Sequence, residues 1–176
     1  RRSSDLTDSL NALSDSGWRE RLARIGAERG AFERLGDRHS AFLIGQGPVL
    51  VVTFETLRDI RAGRADQMPY GLAVADEEDW SHLCIIAEGD TWWRDQAVIA
   101  YFDRLVDEAF FERFERVVFY GAGAGGYAAA AYSVTSPGAA VILVHPRATL
   151  DPAVTGWDPR DAHLRRLNFR DRYAYA

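Results

Sequence analysis

Val117-Val118-Phe119-Tyr120-Gly121-Ala122-Gly123-Ala124-Gly125-Gly126-Tyr127-Ala128-Ala129-Ala130-Ala131 decides how the rest of this chain is read. The first four residues make a buried strand, the glycines a tight turn, and the alanines a helix. The glycines at 121, 123, 125 and 126 allow backbone angles and close approaches that side chains forbid. A strand that passes through such a turn into a helix is how α/β proteins present a reactive or phosphate-binding point.

The flanking sequence repeats the alternation. Upstream, His82-Leu83-Cys84-Ile85-Ile86-Ala87 reads as a buried strand, with Glu88-Gly89-Asp90-Thr91-Trp92-Trp93-Arg94 at its C-terminal end. From Asp95 to Arg113, Ala97, Tyr101, Leu105 and Ala109, with Val98, Phe102 and Val106, predict an amphipathic helix of about five turns. Downstream, Ser136-Pro137-Gly138 ends the helix of residues 124–135. Ala140-Val141-Ile142-Leu143-Val144 then reads as a further buried strand, ending at His145-Pro146-Arg147. His82 itself is read as a surface or cap residue before its strand.

Closer to the N-terminus, Ala41 to Ile44 and Val49 to Phe54 are strand-like runs around Gly45-Gln46-Gly47-Pro48, a hairpin signal. Glu55 to Arg64 reads as a polar loop or short helix, residues 72–75 as a short strand or extended segment, and Asp76-Glu77-Glu78-Asp79 as a solvated acidic turn. Residues 3–36 are polar and helical, with Leu6, Leu10 and Leu13, then Trp18, Leu22 and Ile25, at helical spacing; Gly17, Gly26, Gly30 and Gly36 break them into pieces. The reading is a helical lead-in over residues 1–36 and one domain over 37–176. Beyond Arg147 the chain is loop-rich, and it reaches residue 176 without an obvious closing element, so a longer natural chain is allowed.

The expected fold is therefore α/β: three layers, α/β/α, with a mainly parallel sheet and an N-terminal hairpin. In such a sheet the strand C-termini share one edge, where ligands bind. Phe54-Glu55, Glu88 to Arg94, Ala122 to Gly126 and His145 to Arg147 converge there on this reading.

Composition narrows the partners. The formal net charge of −5 argues against nucleic acid or an anionic membrane. The single cysteine, Cys84, excludes an internal disulfide or a C-x-x-C site and sits in an apolar run, as a buried structural thiol does. All 21 basic residues are arginine. No stretch spans a bilayer, and Arg1-Arg2-Ser3-Ser4-Asp5 lacks a signal peptide's apolar core, so the expected location is cytoplasmic. No cofactor or metal is called for. The expected partner is a small molecule or a protein, with an oligomer or assembly as a further option.

The stretch from residue 41 to 147 resembles the α/β-hydrolase superfamily, especially small bacterial proteins with a G-x-S-x-G-G-Y-A-A elbow. The resemblance rests on Val117 to Ala131, on Gly89-Asp90-Thr91-Trp92-Trp93 and on Ala140 to Pro146. It implies a strand-to-helix nucleophile elbow at Gly121-Ala122-Gly123-Ala124-Gly125, with the Ala124 N–H as an oxyanion donor and a second N–H from near Phe54-Glu55. Gly123 stands where that family has serine, and no neighbour offers Ser, Cys or Asp. The family's acid and histidine follow later strands; His145 comes too early, His163 lies in an arginine-rich stretch, and Asp151, Asp158 and Asp161 read as turn or cap residues. The implied protein is a catalytically degenerate hydrolase-like domain. Its binding residues would be Gly121, Gly123, Ala124, Gly125, Trp92, His145 and Arg147.

A second frame competes. Gly121, Gly123 and Gly126 also satisfy G-x-G-x-x-G, the dinucleotide fingerprint. The acid expected after the next strand is replaced by His145-Pro146-Arg147, and Arg147 would suit a 2′-phosphate, which makes this an NADP-type alternative. From another class, a structural subunit would use its N-terminal helices and the tail carrying Arg160, Arg165, Arg166, Arg170 and Arg172. Asp158, Asp161 and Asp171 interleave with those arginines.

Overall fold

The computed structural model describes residues 13–45 and 47–174. The expectations for Leu6 and Leu10 lie outside the described residues. Six strands form one sheet: β1 (Gly30–Leu35), β2 (His39–Ile44), β3 (Val49–Thr56), β4 (Ser81–Ala87), β5 (Arg116–Ala122) and β6 (Ala140–Val144). Their order across the sheet is β1-β2-β4-β3-β5-β6. The β1–β2 and β2–β4 pairs are antiparallel, and β4, β3, β5 and β6 run parallel.

Helices cover both faces, because successive residues along each strand point to opposite sides. One layer contains α1 (Asp15–Arg29), α2 (Leu57–Gly63) and α3 (Tyr70–Glu78). There Trp18, Leu22 and Ile25 pack with Phe42, Ile44, Cys84, Ile86, Leu57, Ile60 and Leu72. The opposite layer contains α4 (Gln96–Asp107) and α5 (Ala124–Tyr132), over Leu50, Val52, Phe54, Leu83, Ile85 and Phe119. Phe54 stacks there on Phe102 and Tyr132, and Trp93 meets its ring edge-on at 5.7 Å. A short helix, α6 (Pro152–Thr155), opens the loop-rich C-terminal region. That region brings Leu150, Leu164 and Phe169 onto Trp92, Tyr127 and Ala131.

The α/β class, the mainly parallel sheet and the strand–turn–helix at residues 117–131 are as the sequence indicates. Four local readings are corrected. Residues 30–35 are a strand, not helix, so the boundary drawn at residue 36 runs through the β1–β2 hairpin. The runs at 41–44 and 49–54 do not pair with each other; β2 pairs with β1 and β4, and β3 inserts between β4 and β5. Residues 72–75 lie inside α3, which ends in the left-handed Asp79. β5 has β3 on one side and β6 on the other. Finally, β6 is an exposed edge strand, not a buried one: Val141, Ile142, Leu143 and Val144 are 37–51% exposed.

Candidate functional site

At the end of β5 the chain reverses into α5 through Gly123, whose backbone angles are φ 54° and ψ −120°. Side chains rarely adopt a φ of that sign, and glycine does so at low cost. The glycines around it are there for closeness. A Cβ on Gly121 would lie 2.1 Å from the Gly125 carbonyl oxygen, and one on Gly125 would lie 2.3 Å from that of Phe54. A Cβ on Gly126 would sit 3.1 Å from both the Gly121 oxygen and a Pro146 carbon. At Gly123 a Cβ would meet nothing within 4 Å. The turn is thus closely packed at Gly121, Gly125 and Gly126 and open at the Cβ position of Gly123.

Two hydrogen bonds hold this geometry. The Gly123 N–H donates to the Val144 carbonyl oxygen at 2.9 Å, and the Tyr127 N–H donates to the Gly123 carbonyl oxygen at 3.2 Å. The first ties the turn to the last residue of β6. Ala124 and Gly125 open α5, where backbone N–H groups have no carbonyl one turn earlier in the helix to bond and the helix dipole favours an anion or a carbonyl oxygen. Both Gly123 and Ala124 are half-buried. From β3, the group that meets the turn is the Phe54 carbonyl oxygen against Gly125.

The other expected site residues distribute unevenly. Trp92 is buried, with a left-handed φ of 51°, and its ring lies against Tyr127 at 5.4 Å and Phe169 at 5.9 Å. It supports α5 rather than lining open space. Arg147 sits 5.9 Å above the Trp92 ring and is ion-paired with Asp161, so its charge is already engaged. His145 follows Val144 directly and is exposed, with φ 46°. His163 is exposed in a 3-10 turn. The two remaining histidines are buried in strands: His39 bonds Thr91 at 2.7 Å and His82 bonds Thr53 at 2.8 Å. Asp151 caps α6 through the Ala153 N–H and pairs with Arg170, and Asp158 pairs with Arg160. The acid candidates are thus engaged in caps and ion pairs.

Arg94 anchors the loop beside the site. Its buried guanidinium donates to the carbonyl oxygens of Asn168 (2.7 Å), Arg172 (2.9 Å) and Tyr173 (2.6 Å), which binds residues 168–173 to the start of α4.

No family model matches the chain, and no curated protein matches its sequence. Similar solved structures exist. A chain of the Glycosylation Associate Protein (Gap123) complex from Streptococcus agalactiae has a TM-score of 0.48 and 16% identity, over 69% of this chain and 24% of that one. The capsule O-acetyltransferase of Neisseria meningitidis serogroup A has a TM-score of 0.49 and 12% identity, over 94% and 68%. MGS-MChE2, an α/β hydrolase enzyme from the metagenome of Mar Chica lagoon sediments in Morocco, has a TM-score of 0.41 and 12% identity, over 76% and 60%. The chain thus spans 24% of the Gap123 chain's length and 60% of the Mar Chica enzyme's. Its own fold is α/β: a mainly parallel sheet, helices on both faces and a glycine turn after the fifth strand. Among the described residues, no helix is long and apolar enough to cross a membrane.

One polar group escaped the sequence reading. His82, expected at the surface, is fully buried in β4 and lies beside Thr53, with Glu55 and Cys84 close by. The signal was present as polar residues two apart within apolar strands, Thr53 with Glu55 and His82 with Cys84, which places each pair on one face.

Proposed function

We propose that this chain is a hydrolase-like binding domain that has lost serine-hydrolase chemistry and holds a carbonyl or carboxylate group of a small ligand, or of a protein partner, at the glycine turn. The observation that carries the reading is the contrast at the elbow. Gly121, Gly125 and Gly126 are required by close packing, whereas Gly123 keeps the elbow's backbone angles with free space where the nucleophile would stand. A ligand oxygen placed there would meet the N–H groups of Ala124 and Gly125. Preorganised donors of this kind contribute roughly 3 kcal/mol each to an oxyanion in catalysis and less to a ground-state carbonyl.

Two measurements test this. A fluorophosphonate probe should leave the purified protein unlabelled, because Gly123 has no nucleophile. Calorimetry with a panel of short-chain carboxylates and acyl esters should find a binder that Ala124→Pro weakens, since proline at the first helical position keeps the helix and deletes the N–H. Stoichiometric labelling would overturn the loss of chemistry. Absence of any binder, or binding indifferent to Ala124→Pro, would overturn the site.

A further inference from the structure

On the sheet face opposite α5, four polar side chains meet under α3. The Thr53 hydroxyl donates to Glu55 Oε1 at 2.8 Å and lies 2.8 Å from His82 Nε2. The Cys84 thiol faces Glu55 Oε1 at 3.7 Å. Ligand atoms of Glu55, His82 and Cys84 all fall within 4.8 Å of one another. Thr53, His82 and Cys84 are buried, and His82 Nδ1 has no hydrogen-bond partner among the described residues. The helix above is shaped to the group: a Cβ on Gly71 would stand 2.3 Å from His82 Nε2 and 2.9 Å from a Thr53 methyl carbon.

The cluster is unusual in its charge. Glu55 accepts from the Thr53 hydroxyl, the Cys84 thiol and the Tyr70 and Gly71 backbone N–H groups, all uncharged donors. Burial raises the carboxyl's pKa, and burial together with Glu55 raises that of the thiol. A carboxylate oxygen, an imidazole nitrogen and a thiol sulfur are the donor types of zinc sites, and the sulfur disfavours magnesium or calcium. A dication would also neutralise the pair of anions that the cluster can form.

We propose that Glu55, His82 and Cys84 bind a thiophilic divalent cation of the zinc class, with the Thr53 hydroxyl beside it. On binding, the Cys84 proton leaves to solvent and a metal–sulfur bond forms. Glu55 supplies a carboxylate oxygen, and His82 supplies Nε2 once the ring proton that Nε2 donates to the Thr53 oxygen in the free cluster has moved to Nδ1. One dication, one thiolate and one carboxylate sum to zero, so the occupied site buries no net charge. A mostly apolar cavity of about 150 Å³ touches the cluster only through Thr53, Tyr70 and Gly71.

The test uses the purified full chain, stripped with a chelator and titrated with zinc, cobalt or magnesium. The expected result is one equivalent of zinc retained through dialysis and none of magnesium. Cobalt should add a thiolate-to-metal charge-transfer band in the near ultraviolet. Cys84→Ala should abolish that band, and both Cys84→Ala and the near-isosteric Glu55→Gln should weaken zinc binding at least about tenfold. Failure to retain zinc, a cobalt spectrum without the charge-transfer band, or affinity unchanged in Glu55→Gln would each overturn the site. If Cys84→Ala does not fold, the wild-type cobalt spectrum and Glu55→Gln still decide.

Discussion

Gly123 donates its N–H to the carbonyl oxygen of Val144, 2.9 Å away, so the turn after β5 is pinned to the last residue of β6. The bond runs through the backbone and does not depend on the residue at 123. A serine there would have room for its side chain, since nothing lies within 4 Å of the Cβ position. Its cost would be the backbone conformation. Gly123→Ser should fold and lose about 1–3 kcal/mol, read from denaturant unfolding. It should remain inactive on short-chain esters. Turnover by this variant would show that a histidine reaches the turn, and His145 would be the first to replace.

Gly125 presents the opposite case. Its Cβ would lie 2.3 Å from the Phe54 carbonyl oxygen, and backbone cannot swing aside as a side chain can. Overpacking typically costs about 1–3 kcal/mol, and with a backbone obstacle Gly125→Ala should reach the top of that range or beyond. The ordering is the sharp expectation: Gly125→Ala should be less stable than Gly123→Ser although its side chain is smaller. The reverse order in parallel unfolding curves would contradict the packing described for the elbow.

His39 sets part of the acid limit of the fold. It is fully buried, bonded to Thr91, and burial lowers its pKa to about 4 from an ordinary 6.5; Arg38 and Arg34 act in the same direction, Asp95 and Glu88 against it. Between those two values the unfolded chain binds a proton that the folded chain refuses. Stability therefore falls as pH drops through this window, by up to about 1.4 kcal/mol per pH unit from this group, and its contribution is constant above the window. Urea unfolding at several pH values should show a shallower decline for His39→Gln than for the unmodified chain. Equal slopes would mean that His39 titrates alike in both states.

The edge strand β6 carries no charged residue, and its apolar side chains are exposed on both faces of the sheet. Unpaired, apolar edges recruit other strands. Val141→Lys should reduce concentration-dependent association in light scattering while changing stability by no more than about 0.5 kcal/mol, as exposed substitutions do. Association unaffected by the lysine would place the sticky surface elsewhere.

Local pattern alone carried much of this protein. The apolar run at 83–87, the helical spacing of Val98, Phe102 and Leu105 and the glycine turn into alanines all act over a few residues, and each is found in the structure, although the helix expected from Asp95 to Arg113 ends at Asp107. That position 123 offers no nucleophilic side chain needed no structure, because glycine has none in any fold. Tertiary structure decided which strands became neighbours. The run at 49–54 passes over its sequence neighbour β2 to lie between β4 and β5, a choice made by long-range pairing. Burial followed the same logic. Val141 to Val144 are as apolar as the strands inside the sheet, yet they are exposed because, among the described residues, no strand pairs with the outer side of β6; His82 is polar, yet it is buried because β3 and α3 close over it. Sequence period records which residues share a face, whereas only the assembled sheet determines whether that face has a neighbour.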